Sequence, residues 1–199
     1  MDKIKEIEKY YDELKTIDMK KTSSIKSSFL SIENYNCKLN NGHIIKREKI
    51  LKNNKSGSAA IILPITEDDK IILAIEPRVF TKKTVDIGLP AGYIENKEYP
   101  YMAAIRELEE ETGYTSDQLE LLGSYYQDQG CSEAINYYYI AYNCKRVNQQ
   151  NLDEGEFIKY ILVTLEELEE LVEKNYIKGL NSAFIIEKGK KKLKKIRRQ

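Results

Sequence analysis

An acidic cluster with one arginine lies near the middle of the chain. Glu107, Glu110 and Glu111 fall within five residues, and Arg106 directly precedes them. On a helix, 100° per residue places Glu107 and Glu111 about 40° apart, so the carboxylates repel one another. A bound cation removes that repulsion, and Mg²⁺ binds through carboxylates together with substrate phosphates. The cluster therefore predicts a Mg²⁺ site, with Mn²⁺ as the alternative ion, for hydrolysis of a phosphate chain.

The residues around the cluster predict a helix that positions it. Pro100 suits a first helical turn and Gly113 a left-handed C-terminal cap. Gly92 permits a positive φ or a close backbone approach, and Arg106 is expected to orient the acidic ligands by pairing with Glu98 or Glu110. The face expected to pack comprises Tyr101, Ala104, Ile105 and Leu108. A surface helix with salt bridges is the alternative, but it does not account for both glycines at this spacing.

The complete spacing resembles the Nudix box. It reads G-x5-E-x7-R-E-L-x-E-E-x-G-Y from Gly92 to Tyr114, and only Tyr114 departs from the family pattern. The resemblance implies an α/β/α sandwich that hydrolyses nucleoside diphosphates linked to another moiety. It also implies that Glu107, Glu110 and Glu111 are the metal ligands.

Two further segments are similar to the ADP-ribose pyrophosphatase branch of that family. Leu-Pro-Ala-Gly at residues 89–92 implies that the Ala91 carbonyl is also a metal ligand. The Glu154-Gly155-Glu156 segment resembles a late loop that supplies a metal ligand, Glu156, and a general base, Glu154. Gln129 stands where this branch has a proline that marks ADP-ribose specificity. The resemblance therefore supports the type of reaction more strongly than it supports ADP-ribose as the substrate.

Three other side chains are weighed as candidates for chemistry. Arg78 lies in a segment that loosely resembles the arginine-containing strand of the branch, and it is the best candidate for a phosphate or ribose contact. His43 is the only histidine and is expected on the surface, which leaves general-base duty to carboxylates. Cys131 is expected to be a half-buried loop thiol and not a nucleophile.

The composition favours a cytoplasmic protein without membrane or nucleic-acid partners. Lys plus Arg and Asp plus Glu both number 32, so no net charge attracts a polyanion. The basic segment Lys188–Gln199 is expected to be a solvated helix end or a frayed tail, and a patch for RNA or membrane is the alternative. Three dispersed cysteines fit a reducing compartment, and no segment approaches eighteen apolar residues.

Hydrophobic periodicity predicts a mixed α/β chain with an N-terminal appendage. Residues 1–55 are expected to form a helix, Asp2–Leu14, and a β-hairpin turning at Asn40-Asn41-Gly42. By the family resemblance, this appendage would help to build a homodimer. Residues 56–199 are expected to form the catalytic domain. Its predicted strands are 59–65, 70–75, 85–89, 119–126, 134–142 and 157–163, and its terminal helices are 164–174 and 181–195.

The leading hypothesis is Mg²⁺-dependent cleavage of ADP-ribose to AMP and ribose 5-phosphate. The same chemistry on a sugar nucleotide, NADH or an oxidised nucleotide is the nearest alternative. A catalytically silent nucleotide-binding regulatory domain is the alternative from another class, and the retention of every acidic box residue argues against it.

Overall fold

The computed structural model describes residue 10, residues 14–53 and residues 55–196. These residues form two compact units. The first contains the described residues up to Gly57 together with residues 126–134, and the second contains residues 58–125 and the described chain from Ile135 onward. The helix predicted for Asp2–Leu14 falls almost entirely outside the described residues.

The first unit is built on a three-stranded antiparallel sheet. Strands β1 (Thr16–Lys26), β2 (Leu30–Leu39) and β3 (Ile44–Lys52) lie in chain order across it. The predicted hairpin is confirmed, because β2 and β3 pair around a turn in which Gly42 has a φ of 89°. Strand β1 was not predicted. Its side chains are all exposed, so the sequence carries no alternation from which to infer it.

The segment 126–134 belongs to this first unit through hydrogen bonds to β3. The Ile50 amide donates to the Cys131 carbonyl at 2.8 Å, and Lys52 Nζ donates to Gln127 Oε1 at 2.9 Å. Lys49 pairs with Glu133 at 3.2 Å. The division predicted from the sequence, between residues 55 and 56, does not assign segment 126–134 to the N-terminal part.

The described part of the second unit contains eight strands and three helices, and the last residue of one strand, Tyr126, falls in the first unit. The strands are β4 (Ala59–Thr66), β5 (Ile71–Pro77), β6 (Val85–Gly88), β7 (Ala91–Tyr93), β8 (Tyr114–Thr115), β9 (Gln118–Tyr126), β10 (Ile135–Arg146) and β11 (Lys159–Val163). The helices are α1 (Pro100–Thr112), α2 (Leu165–Glu173) and α3 (Leu180–Ile196). The central path of the sheet runs β11-β5-β4-β10-β8, and β4 and β10 are parallel whereas β4 and β5 are antiparallel.

Both faces of this sheet are covered. Alternate residues of β4 point to opposite faces, so Ile62 packs with Leu108 of α1 while Leu63 packs with Leu168 of α2 and Ile185 of α3. The same alternation runs through β5 and β10. The architecture is the expected α/β/α sandwich of mixed strands. The expected capping box of α2 is also present, with Thr164 and Glu167 exchanging side-chain to backbone hydrogen bonds.

The structure confirms the helix predicted for residues 181–195 and shows that the start of the basic segment is a helix end, one of its two expected forms. Residues 188–196 belong to α3, and Leu193 is buried in the core with 3% of its surface exposed. Gly189 lies so close to Leu63 that an added Cβ would stand 2.9 Å from it. This part of the segment is therefore a packed helix and not a frayed tail. No helix in the described part of the chain is long and apolar enough to span a membrane.

Candidate active site

Helix α1 carries the acidic cluster, and its ends follow the sequence signals. Pro100 lies in the first turn, and Gly113 has a φ of 75° and donates its amide to the Glu109 carbonyl at 2.7 Å. Gly113 is required for a second reason, because an added Cβ would stand 2.3 Å from the Asn148 carbonyl oxygen. The expected packing face is partly wrong. Tyr101 is half exposed, and the buried apolar residues of the helix are Ala103, Ala104 and Leu108.

Arg106 is the hub of the hydrogen bonds within the cluster. Its Nε and Nη2 donate to the two oxygens of Glu98 at 2.9 and 3.0 Å, which is the predicted bidentate pair. Its Nη1 donates to Glu107 at 2.7 Å and to Glu110 at 2.9 Å, and its Nη2 also donates to the Tyr93 carbonyl. Arg106 therefore connects the loop before α1, strand β7 and two of the candidate metal ligands.

Strand β7 lies against the carboxylates of α1. The Ala91 amide donates to Glu111 Oε2 at 3.2 Å. A Cβ added to Gly92 would stand 2.0 Å from the Glu107 carboxyl carbon. Gly92 does not have a positive φ, so the structure favours close approach as the reason for glycine at this position.

Burial disfavours the ionised form of two carboxyl groups, those of Glu107 and Glu111. Glu111 is 7% exposed, and its pKa is raised well above 4.5 by burial, with further contributions from the charges of Glu107 and Glu76. Burial also raises the pKa of Glu107 to about 7, although the charge of Arg106 and its hydrogen bond act in the opposite direction. The folded protein is more stable when these two carboxyls are neutral than when they are ionised. Stability alone therefore does not explain why acidic residues stand at these positions.

The acidic cluster extends beyond α1 to residues that sequence reasoning missed. Glu76 on β5 lies opposite Asp86 on β6, and burial raises the pKa of both. Arg78 Nη2 donates to Glu76 at 2.5 Å. Burial raises the pKa of Tyr93 as well, and the positive charge of Arg78 opposes the rise at both Asp86 and Tyr93. Glu76 and Asp86 could have been identified by predicting that the two strands before the Leu-Pro-Ala-Gly segment pair in an antiparallel manner.

Glu154 and Glu156 lie on one turn before β11. The turn is closed by the Glu156 amide donating to the Asp153 carbonyl at 3.0 Å, and Glu156 Oε2 accepts from the Asp153 amide at 3.1 Å. The charge of Glu156 contributes to the raised pKa values of Glu76, Glu107 and Glu111, which places it within the field of the cluster. Glu154 is exposed, and within the described chain no hydrogen bond or ion pair is recorded for its side chain.

The donor chemistry of this site fits a hard divalent cation. All the candidate ligands are carboxylate or carbonyl oxygens, and the space that a Cβ of Gly92 would fill is occupied by the Glu107 carboxylate. Among the described residues, no three His, Cys, Asp or Glu side chains are already arranged as a ligand group.

Comparison with known proteins identifies the family. The model of the NUDIX domain matches residues 55–181, which include the acidic cluster and the turn of Glu154 and Glu156. The chain belongs to the Nudix family. It is a Nudix hydrolase, and the expected reaction class, cleavage of the diphosphate in a nucleoside diphosphate derivative, is confirmed at this level.

Two relatives and one solved structure place it within the family. An ADP-ribose pyrophosphatase of Bacillus subtilis (strain 168) is 34% identical over 176 residues, which are 88% of this chain and 91% of that protein. A methanol dehydrogenase activator of Bacillus methanolicus is 37% identical over 130 residues, covering 65% of this chain and 68% of that protein. A crystal structure of an ADP compounds hydrolase matches with a TM-score of 0.75 and 22% identity over 94% and 97% of the two chains, and this likeness confirms the fold.

Proposed function

We propose that this Nudix hydrolase cleaves ADP-ribose to AMP and ribose 5-phosphate with Mg²⁺ as its metal. The similarity to the Bacillus subtilis ADP-ribose pyrophosphatase over most of both chains supports the substrate. The observation that carries the reaction is the placement of two buried, mutually repelling carboxylates, Glu107 and Glu111, against the backbone of Ala91 and Gly92. Such a cluster is stabilised by a cation, and oxygen ligands of this kind select a hard one.

Each side chain has a proposed role in this reaction. Glu107, Glu110, Glu111 and Glu156, with the Ala91 carbonyl, would hold the metal. A bound divalent cation supplies neutralisation of the diphosphate charge and lowers the pKa of a coordinated water. Arg106 orients Glu107 and Glu110 through its hydrogen bonds, and it is itself held by the carboxylate of Glu98. Glu154 would accept the proton of the attacking water.

Arg78 is proposed to contact a phosphate or ribose oxygen of the substrate. Its side chain is 55% exposed, and its guanidinium is held by Glu76 beside the acidic cluster. A positive charge at this place attracts the diphosphate toward a site that is otherwise strongly acidic. Replacing Arg78 with alanine should raise KM more than it lowers kcat.

A substrate panel tests the proposed function. Purified protein is incubated with Mg²⁺ and ADP-ribose, a sugar nucleotide, NADH or an oxidised nucleotide, and the products are separated. We expect kcat/KM to be highest for ADP-ribose, with AMP as one product. A higher kcat/KM for another compound would change the substrate but not the chemistry. Absence of turnover with every compound would refute the enzymatic role and leave only nucleotide binding.

We further propose that the protein is a homodimer. Among the described residues, strand β1 pairs only with β2, and it carries three exposed apolar side chains, Ile17, Met19 and Ile25. An open edge strand of this kind is a surface for pairing with a second copy. Light scattering across a range of protein concentrations tests this. A cytoplasmic location is also proposed, supported by the free thiols of Cys37, Cys131 and Cys144.

A further inference from the structure

The end of helix α1 is closed by a segment that follows strand β10. The last carbonyls of a helix lack partners within the helix and must find them elsewhere. Here the Asn151 amide donates to the Glu110 carbonyl at 2.9 Å, and Gln150 Nε2 donates to the Glu111 carbonyl at 2.5 Å. The Gly113 carbonyl accepts from the amides of residues 147 and 148. The carbonyls of two candidate metal ligands are thus satisfied by this one segment.

Gln150 makes a second hydrogen bond that reaches across a loop. Its Nε2 also donates to the Ile158 carbonyl at 3.1 Å. Residues 151–157, between these two positions, form the loop that carries Glu154 and Glu156. The amide of one side chain therefore joins the residue before the loop to the residue after it. It also joins both to the last turn of α1.

The acidic part of the loop lies at the surface, whereas its two ends are held. Glu154 and Glu156 are exposed, whereas Ile158 is buried, with 5% of its surface exposed. The Asp153–Glu156 turn is closed by its own hydrogen bonds, which fix its shape but not its position relative to α1. Its position relative to α1 is set at the ends, where Gln150 and the Asn151 amide bind the helix carbonyls.

We propose that Gln150 is a positioning residue whose side-chain amide holds the loop of Glu154 and Glu156 in place beside the Glu110–Glu111 end of α1. The inference rests on the proposed function, in which both loop carboxylates take part in the reaction. Partners that orient a metal site from outside are worth about 10- to 100-fold in activity. A displacement of about 1 Å has an effect of similar size on a reaction that depends on alignment.

Three variants separate this role from simple capping of the helix. Gln150→Met keeps the size of the side chain and removes both donors, whereas Gln150→Lys keeps a donor that reaches the same carbonyls. Gln149→Met is the matched control, because Gln149 is the exposed neighbour. With ADP-ribose and Mg²⁺, we expect Gln150→Met to lower kcat 10- to 100-fold with KM within threefold. We expect Gln150→Lys and Gln149→Met to keep kcat within threefold of the parent value.

A double-mutant cycle tests whether Gln150 acts through the loop. Gln150→Met is combined with Glu154→Gln and, separately, with Glu156→Gln. If Gln150 positions one of these carboxylates, Gln150→Met should lower kcat by less than twofold in the variant that already lacks that carboxylate. The same factor in both double variants as in the parent would overturn the proposal, and so would a kcat of Gln150→Met within twofold of the parent.

The failure of the proposed function gives a different result. If Glu154→Gln and Glu156→Gln both keep the parent kcat, the roles of the loop carboxylates are wrong, and the positioning role falls with them. If those two variants lose activity but Gln150→Met does not, only the Gln150 proposal is wrong. Amide hydrogen exchange of residues 151–157 provides a measurement independent of turnover. We expect faster exchange in Gln150→Met than in Gln149→Met, and equal exchange would contradict the proposal.

Discussion

Replacing Glu107 with glutamine should stabilise the metal-free protein above neutral pH. The pKa of Glu107 is about 7 in the folded chain and 4.5 in its ordinary state. The difference is about 2.5, and each pH unit corresponds to about 1.4 kcal/mol, so ionised Glu107 destabilises the fold by about 3 kcal/mol. Its side chain is only 12% exposed, so solvent screening reduces this value little. Glutamine keeps the shape and can still accept the hydrogen bond of Arg106.

The sign of the effect defines a pH window. A carboxyl with a raised pKa binds more protons in the folded than in the unfolded chain between pH 4.5 and about 7. The folded protein therefore loses stability as pH rises through that interval, and the loss is complete above it. At pH 4.5 the free energies of unfolding of the parent and Glu107→Gln should agree within about 0.5 kcal/mol. At pH 8 the variant should be more stable by about 3 kcal/mol, the destabilisation that ionised Glu107 causes in the parent.

Urea unfolding with a chelator at both pH values measures this. Glu109→Gln is the control on the same helix, because Glu109 accepts a hydrogen bond from Asn148 that glutamine also accepts. Its effect should be equal at the two pH values. Saturating Mg²⁺ at pH 8 should then stabilise the parent, by about 2.7 kcal/mol at one hundred times the Kd, and stabilise Glu107→Gln much less. A variant that is no more stable than the parent at pH 8, or more stable by the same amount at both pH values, would refute the reasoning.

Three further predictions concern single residues. Glu111→Gln should lower kcat at least about 100-fold, because it removes a proposed metal ligand, and steady-state assays that show less than a threefold change would contradict that role. Gly92→Ala should raise the Mg²⁺ concentration for half-maximal activity while leaving thermal unfolding within a few degrees, since the added Cβ meets the end of the Glu107 side chain and not the backbone. Leu193→Ala should lower the free energy of unfolding by about 2 to 5 kcal/mol, as for other buried leucines. An unchanged urea midpoint would show that α3 is not part of the core.

The elements of the second unit were largely predictable, because its strands and helices have strong local patterns. The predicted β4 begins where the observed strand begins, at Ala59, and α1 ends at the glycine that the sequence indicates. The short strands β7 and β8 were not predicted, and another deviation occurs where a residue is exposed. Phe157 was included in the last strand, but it is 73% exposed and the strand begins at Lys159. Apolar character alone does not place a residue in a sheet, because many apolar side chains remain on the surface.

The site was predictable where its residues are close in sequence and not where strand pairing brings them together. The pairing of Arg106 with Glu98 or Glu110 followed from guanidinium chemistry, and Arg106 donates to both, in a bidentate pair with Glu98. Glu76 and Gln150 were missed because their roles depend on β5 pairing with β6 and on a loop folding back to α1. Contacts between residues so far apart in sequence leave no local pattern.

The charge balance of the site provides an independent argument for a cation. Two arginines, Arg78 and Arg106, stand among seven carboxylates: Glu76, Asp86, Glu98, Glu107, Glu110, Glu111 and Glu156. If all were ionised, this part of the molecule would carry five uncompensated negative charges, so protons or metal ions must reduce them. The raised pKa values of Glu107 and Glu111 mean that these two groups bind protons more readily, which reduces the negative charge in the free protein. A diphosphate adds further negative charge, which protonation of the same carboxyls cannot offset and a divalent cation shared with the phosphates can. The charge balance therefore supports the proposed binding of a metal together with the substrate at this site, and the buried carboxyls make the free protein less stable.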